Sequence, residues 1–261
     1  SCAPLFQKEK NSMKFMAIIP ARYASTRFPG KPLAMLGGKP VVQWVYEKAS
    51  SVFDIVAVAT DDKRISDTVS AFGGRAIITS PHHRSGTDRV REAHMLSGEN
   101  ADVIVNIQGD EPFVDPSQLM ALKSCFDYPE TDIATLVRPF KGSYEELSDP
   151  NKVKVVCDDQ GFALYFSRSV IPYVRGTEKN EWPSQAAYHL HIGLYGYRAE
   201  ILERVAGMPP SPLEIAESLE QLRWLQAGLR IRTAQTNIST IGIDTPADLE
   251  AARRQIEKQE L

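Results

Sequence analysis

The sequence predicts an α/β fold, a largely parallel sheet with helices on both faces. Three observations carry this. Short apolar runs alternate with helix-spaced stretches through the first half of the chain. Those runs are apolar throughout, the pattern of strands buried on both faces. Hydrophobic residues make up 43% and charged residues 24%, which is ordinary for a globular body. The 261 residues suit one large domain or two small ones.

The elements follow in order. Phe15–Pro20 is an apolar run ended by Pro and reads as the first strand. Val41–Ser51 places Val42, Val45, Tyr46 and Ala49 on one helical side. Asp54–Thr60 is a second strand. Asp61 or Asp62 caps a helix over 63–72, which Gly73-Gly74 ends. Ala76–Thr79 is a third strand, and Thr87 or Asp88 opens a helix to Leu96. Asp102–Gln108 is a fourth strand. Asp115-Pro116 then opens a helix over 116–126. Ligands of such sheets bind beyond the carboxyl ends of the strands, so the loops after Pro20, Thr60, Thr79 and Gln108 are the places to search.

The second half is less regular. Lys152–Val156, Phe162–Phe166 and Ile192–Tyr197 read as strands of an antiparallel or mixed extension. Residues 175–187 read as a flexible polar loop. Pro212–Ala227 reads as one amphipathic helix with Gly228 at its end, followed by a strand at Ile231–Gln235 and a helix over 246–258.

Thirty Lys and Arg against thirty-three Asp and Glu give a net charge of −3. That balance argues against a sequence-independent nucleic-acid coat. It hides an acid-free stretch from Lys10 to Tyr46 that carries six cations. Cys2, Cys125 and Cys157 form no CxxC pair, which argues against a disulfide framework or a structural zinc. No apolar run approaches the roughly 18 residues of a membrane span. Residues 1–12 lack a signal-peptide core and read as an extension or the remnant of a tag. A cytoplasmic location is expected.

The loop Pro20–Pro32 brings Arg22, Arg27 and Lys31 to one strand end. Forked guanidinium donors and a compact ammonium suit a triphosphate. Neither GxGxxG nor a Walker A loop is present. Gln108-Gly109-Asp110-Glu111-Pro112 delivers carboxylates at the end of the fourth strand. Asp110 suits a magnesium ion, which favours oxygen ligands, with Gly109 leaving room for a nucleotide. Alternatively, the acidic pair caps the next turn. Asp244, before Thr245-Pro246, reads on sequence alone as a helix N-cap. Ser85-Gly86-Thr87 offers backbone donors at a helix start, while Arg89 has the alternative reading of a surface charge. His189 and His191 alternate along a strand as zinc ligands could, without a third ligand.

Pro20–Pro32 (PARYASTRFPGKP), followed by Gly38-Lys39-Pro40, resembles the start of the 3-deoxy-manno-octulosonate (Kdo) cytidylyltransferases. The resemblance continues in Ala59-Thr60-Asp61, Ser85–Arg89, Asn106–Pro112 (NIQGDEP) and Tyr165–Arg168. It runs on through His191–Arg198 (HIGLYGYR), Pro212–Arg223 and Gly242–Leu249 (GIDTPADL), and covers roughly Lys14 to Arg254. The basic loop alone is shared with other sugar-nucleotide transferases. Its combination with NIQGDEP and HIGLYGYR is far more specific.

The resemblance implies a Rossmann-like three-layer αβα nucleotide-diphospho-sugar transferase fold with a mixed sheet. The domain would span 13–261, with a nucleotide part over about 13–140 and a sugar-binding and dimerising extension over about 150–236. The implied activity moves CMP from CTP to the anomeric 2-hydroxyl of Kdo and releases pyrophosphate, which activates Kdo for lipopolysaccharide synthesis. It implies Mg2+ on Asp110 and Asp244, with Arg22 and Lys31 also catalytic. Pro20, Ala21, Arg22, Arg27, Lys31, Ser85, Gly86, Thr87, Arg89, Gln108 and Gly109 would meet the nucleotide. Gln108, Arg168, Arg175, His191, Tyr195, Glu220 and Gln221 would meet Kdo. A homodimer is implied. The rivals are a transferase for sialic acid or 8-amino-Kdo, a non-catalytic nucleotide binder, and a sugar-1-phosphate nucleotidyltransferase.

Overall fold

The computed structural model describes residues 13–83, 85–239 and 242–259. The extension expected at 1–12 lies outside them. The first half runs β1 (Phe15–Ala21), β2 (Met35–Leu36), β3 (Lys39–Pro40), α1 (Val41–Ser50), β4 (Ile55–Thr60), α2 (Lys63–Ala71), β5 (Ala76–Ile78), α3 (Gly86–Ser97), β6 (Val103–Asn106) and α4 (Pro116–Ser124). It continues with β7 (Ile133–Pro139), α5 (Tyr144–Leu147), β8 (Lys154–Cys157), β9 (Ala163–Ser167), α6 (Trp182–Gln185) and β10 (His189–Arg198). The chain closes with α7 (Ala199–Ala206), α8 (Pro212–Glu217), α9 (Gln221–Gln226), β11 (Ile231–Gln235) and α10 (Pro246–Gln259).

The main sheet has the order β11-β7-β10-β6-β1-β4-β5, with β8 paired to β10 and β9. β1 runs parallel to β4 and β6, and β10 runs antiparallel to both β6 and β7. The sheet is thus mixed, as expected. Its second-half strands differ from expectation in place, because β10 sits at the centre and not in an outlying extension. β7, which pairs with β10 and β11, has no counterpart among the predicted elements.

Alternate residues of β1 supply two cores, as strand geometry requires. Ala17 and Ile19 pack with Val42, Val45 and Leu119 beneath α1, α2 and α4. Met16 and Ile18 pack with Val90, Ala93, Leu202 and Trp224 beneath α3, α7 and α9. A third, smaller core joins α10 to the β2–β3 hairpin through Leu36, Val41, Ile243, Leu249, Ala252 and Ile256.

The caps resolve several alternatives. Asp62, not Asp61, caps α2, accepting from the Arg64 amide at 2.9 Å. Ser85 caps α3 two or three residues earlier than Thr87 or Asp88 would, accepting from the Asp88 amide at 3.1 Å. The expected helix over 212–227 is broken. Ser218 adopts a left-handed φ of 51°, ends α8, and lets α9 start in a new direction. The expected loop at 175–187 holds α6, whose Trp182 is buried against Leu147 and Tyr188.

Candidate active site

The loop after β1 is closed by Gly30. Its amide donates to the Tyr23 carbonyl at 2.8 Å, and its φ of 72° favours glycine. A Cβ there would stand 3.1 Å from the Tyr23 ring. This turn starts a short 3-10 helix at Lys31 and points the lysine back over the strand ends. The Lys31 ammonium lies 2.6 Å from Asp110 Oδ2 and 3.2 Å from Asp244 Oδ1. The Arg27 guanidinium reaches Asp244 Oδ2 at 3.3 Å. Two carboxylates far apart in the chain therefore converge on one cationic atom.

Asp110 comes from the loop after β6. Gly109, beside it, passes under β1, where a Cβ would stand only 2.7 Å from the Pro20 carbonyl. A glycine here lets the loop pass close to the strand, and Gly109 also lines the cleft expected to hold a nucleotide. Asp244 is not the N-cap of α10. Thr245 Oγ1 accepts from the Asp248 amide at 3.2 Å, and the Asp248 carboxylate accepts from the Asp244 and Thr245 amides. That exchange leaves the Asp244 side chain to Lys31 and Arg27. The Ile243 amide donates to the Asp110 carbonyl at 2.8 Å, so the two acidic loops are joined main chain to main chain.

A cleft of about 440 Å³ opens at this point. Pro20, Ala21, Arg22, Arg27, Lys31, Gly86, Gln108, Gly109 and Asp110 line it. One Arg22 nitrogen donates to the His83 carbonyl at 2.8 Å and the Ser85 carbonyl at 3.3 Å, which braces the basic loop against the start of α3. The free amides at that helix start favour anions. Arg89 lies elsewhere. It is fully buried and donates to Thr79 Oγ1 at 2.6 Å and Asp61 Oδ2 at 3.0 Å. This overturns the surface-charge alternative and leaves Arg89 outside the cleft lining.

The residues expected to meet the sugar form two sets. His191, Tyr195 and Glu220 gather on the α3 face of the sheet. The His191 ring lies 5.4 Å from that of Tyr195, which lies 5.2 Å from Trp224. Glu220 accepts from Thr87 Oγ1 at 2.9 Å and from Arg223 at 2.7 Å. Burial nevertheless raises its carboxyl above the usual range. Gln221 is buried, and its amide has no side-chain partner among the described residues. The two arginines differ. Arg168 donates to the carbonyls of Glu217, Pro150 and Ser218. Arg175 is exposed in the turn before α6. The structure does not bring Arg175 to the cleft.

Two residues, Glu217 and Thr135, and the surroundings of Glu111 escape sequence reasoning. Glu217 accepts from Ser167 Oγ and the Arg168 amide, at 2.7 and 2.8 Å, and holds the end of β9. Glu111 faces a second cavity, of about 360 Å³, lined also by Arg138, Lys152 and His191. Burial, then the Asp110 charge, lifts its carboxyl to about 7. Thr135 touches His191. A carboxylate at a loop or a threonine in an apolar run gives no local signal of such contacts.

A family model described as "Cytidylyltransferase" matches residues 16–231. The 3-deoxy-manno-octulosonate cytidylyltransferase of Phocaeicola vulgatus is 55% identical over 250 residues, covering 95% of this chain and 99% of that protein. The chain belongs to the 3-deoxy-manno-octulosonate cytidylyltransferase family. A second member, from Parabacteroides distasonis, is 56% identical over 243 residues, covering 92% of this chain and 97% of its own. A solved CMP:2-keto-3-deoxy-manno-octonic acid synthetase complexed with CTP superimposes with a TM-score of 0.86 at 44% identity, over 95% of this chain and all of that one. This family member has no helix, among its described residues, long and apolar enough to cross a membrane.

Proposed function

We propose that the protein transfers CMP from CTP to the anomeric 2-hydroxyl of Kdo, giving CMP-Kdo and pyrophosphate. The observation that carries this reading is the meeting of Asp110 and Asp244 on the Lys31 ammonium at the mouth of a basic cleft. The kinship with CMP-Kdo synthetases supplies the substrates.

The residues fit a magnesium ion. Oxygens from Asp110 and Asp244 already reach a single cation, the Lys31 ammonium, and hard oxygen donors with room for phosphate and water are what Mg2+ prefers. When bound, Mg2+ would neutralise α-phosphate charge and make the sugar hydroxyl a better nucleophile.

This chain's own groups do the rest. Arg27, Lys31 and the unengaged nitrogens of Arg22 hold the triphosphate, with the α3 amides behind them. The sugar 2-hydroxyl oxygen bonds to the α-phosphorus as the α–β bridging bond breaks. The hydroxyl proton passes to water, and pyrophosphate leaves against the basic loop. Such fixed charges are typically worth about 10²- to 10³-fold per donor. His191, Tyr195, Glu220 and Gln221 orient the sugar acid. Exposed Leu164 and Tyr173 in the second half support pairing of two copies there.

Pyrophosphate release from CTP tests the reading. Release with Kdo and Mg2+, abolished by chelation and slower with sialic acid or 8-amino-Kdo, is expected. Faster release with another sugar acid overturns the choice of Kdo. Release without a divalent ion overturns the metal.

A further inference from the structure

Thr135 is fully buried in β7, paired with Tyr195 of β10. Between Ile192 and Tyr195 the register of β10 slips. The slip turns two carbonyls toward the Thr135 hydroxyl, Leu194 O at 2.9 Å and Ile192 O at 3.1 Å. A hydroxyl has one proton to give, and here it goes to that carbonyl pair. The threonine oxygen keeps its lone pairs, and His191 Nε2 stands 3.0 Å from it. Only the imidazole can supply the hydrogen between these two atoms. Nε2 is therefore the protonated nitrogen, and Nδ1 holds the lone pair.

The other tautomer would draw the Thr135 proton onto Nε2 and strip it from the buried carbonyls. Burial also keeps the ring neutral, pushing its ionisation down to about 4. Phe166 and Tyr195 flank it at 5.1 and 5.4 Å between ring centres, which limits rotation. Nδ1 has no hydrogen-bond partner among the described residues and is not sealed from solvent.

We infer that Thr135 is a positioning residue that fixes His191 as the Nε2–H tautomer and so presents Nδ1 as an acceptor for a donor group of the sugar acid. This rests on the reading of His191 as a sugar contact. It adds a rule of specificity. A hydroxyl or amino group at that place satisfies Nδ1, whereas a deoxy carbon or a methyl ether leaves it unpaired.

Nitrogen-15 NMR of histidine-labelled full-length protein reads the tautomer directly. The wild type is expected to show Nε2–H for His191, and Thr135→Val to lose that preference. Thr135→Val should also raise KM for Kdo about tenfold, the scale of one buried hydrogen bond, with KM for CTP unchanged. Thr135→Ser keeps the hydroxyl and should restore both. An Nδ1–H signal in the wild type overturns the inference without any variant. An unchanged tautomer in Thr135→Val does so too. The sugar contact is tested separately. If His191→Gln leaves KM for Kdo unchanged while the tautomer is as expected, His191 does not touch the sugar, and the acceptor half of the inference falls.

Discussion

The Lys31 ammonium lies 2.6 Å from the Asp110 carboxylate and only 13% of its side chain is exposed. It stands where the two acidic loops would otherwise face each other and occupies both. On the proposed reading, an anionic triphosphate would draw the lysine toward itself and free the carboxylates for a divalent cation. Nucleotide and cation should therefore bind cooperatively.

Lys31→Ala should lower kcat/KM for CTP at least about tenfold, given the strength of charged hydrogen bonds. The same variant should bind Mn2+ more tightly than the wild type when no nucleotide is present. Electron paramagnetic resonance titration of free Mn2+ reads this. Weaker Mn2+ binding in the variant would show that the lysine does not compete with the cation.

Asp110→Asn should abolish divalent-dependent turnover while Tm stays near that of the wild type, because the carboxylate is partly exposed and its main metal-free partner is one lysine. Pyrophosphate release and a thermal melt measure the two quantities. Full activity in a folded variant removes Asp110 from the centre.

Gly109→Ala should destabilise the protein by about 1–3 kcal/mol, the usual cost of overpacking. The added methyl would meet the Pro20 carbonyl at 2.7 Å, a main-chain atom of the central strand β1 that cannot move aside singly. Urea unfolding checks this. A stability equal to wild type means that β1 and the loop after β6 are not locked together there.

His191 predicts a pH dependence of stability. Its imidazole ionises at about 4 in the folded protein against 6.5 as a model value. Between those values the unfolded chain holds more protons, so stability rises with pH through this window and falls as pH drops from 6.5 toward 4. On the order of 2 kcal/mol should be lost between pH 7 and pH 5 from this residue. His191→Gln should remove that part of the slope in parallel urea titrations.

The first-half strands and helices were legible because each carries its own signal, an apolar run or a helical stripe. β7 was not, although Ile133–Val137 is apolar enough, because its partners β10 and β11 arrive more than fifty residues later. The Ser218 break was hidden by a hydrophobic period that continues across it, and a serine gives no glycine-like warning. At the site, the basic loop and Asp110 stand out through local charge at a strand end. Asp244 does not. Its release depends on Thr245 taking the cap, a choice between neighbouring side chains that both suit the position. Arg89 looks like surface because its acceptors, Thr79 and Asp61, come from other elements.

The bond between the Ile243 amide and the Asp110 carbonyl has a consequence for how the molecule is completed. The sheet closes with β11 at Gln235, and its two large cores need nothing beyond it. One of the two acidic arms arrives only afterwards, carried by a segment anchored in its own small core. A chain halted between these points would lack Asp244 and also the segment against which Phe28, Ala34 and Leu36 on the basic side of the cleft pack. Closure of the sheet and completion of the site therefore draw on different stretches of the chain, the last of them beyond Gln235.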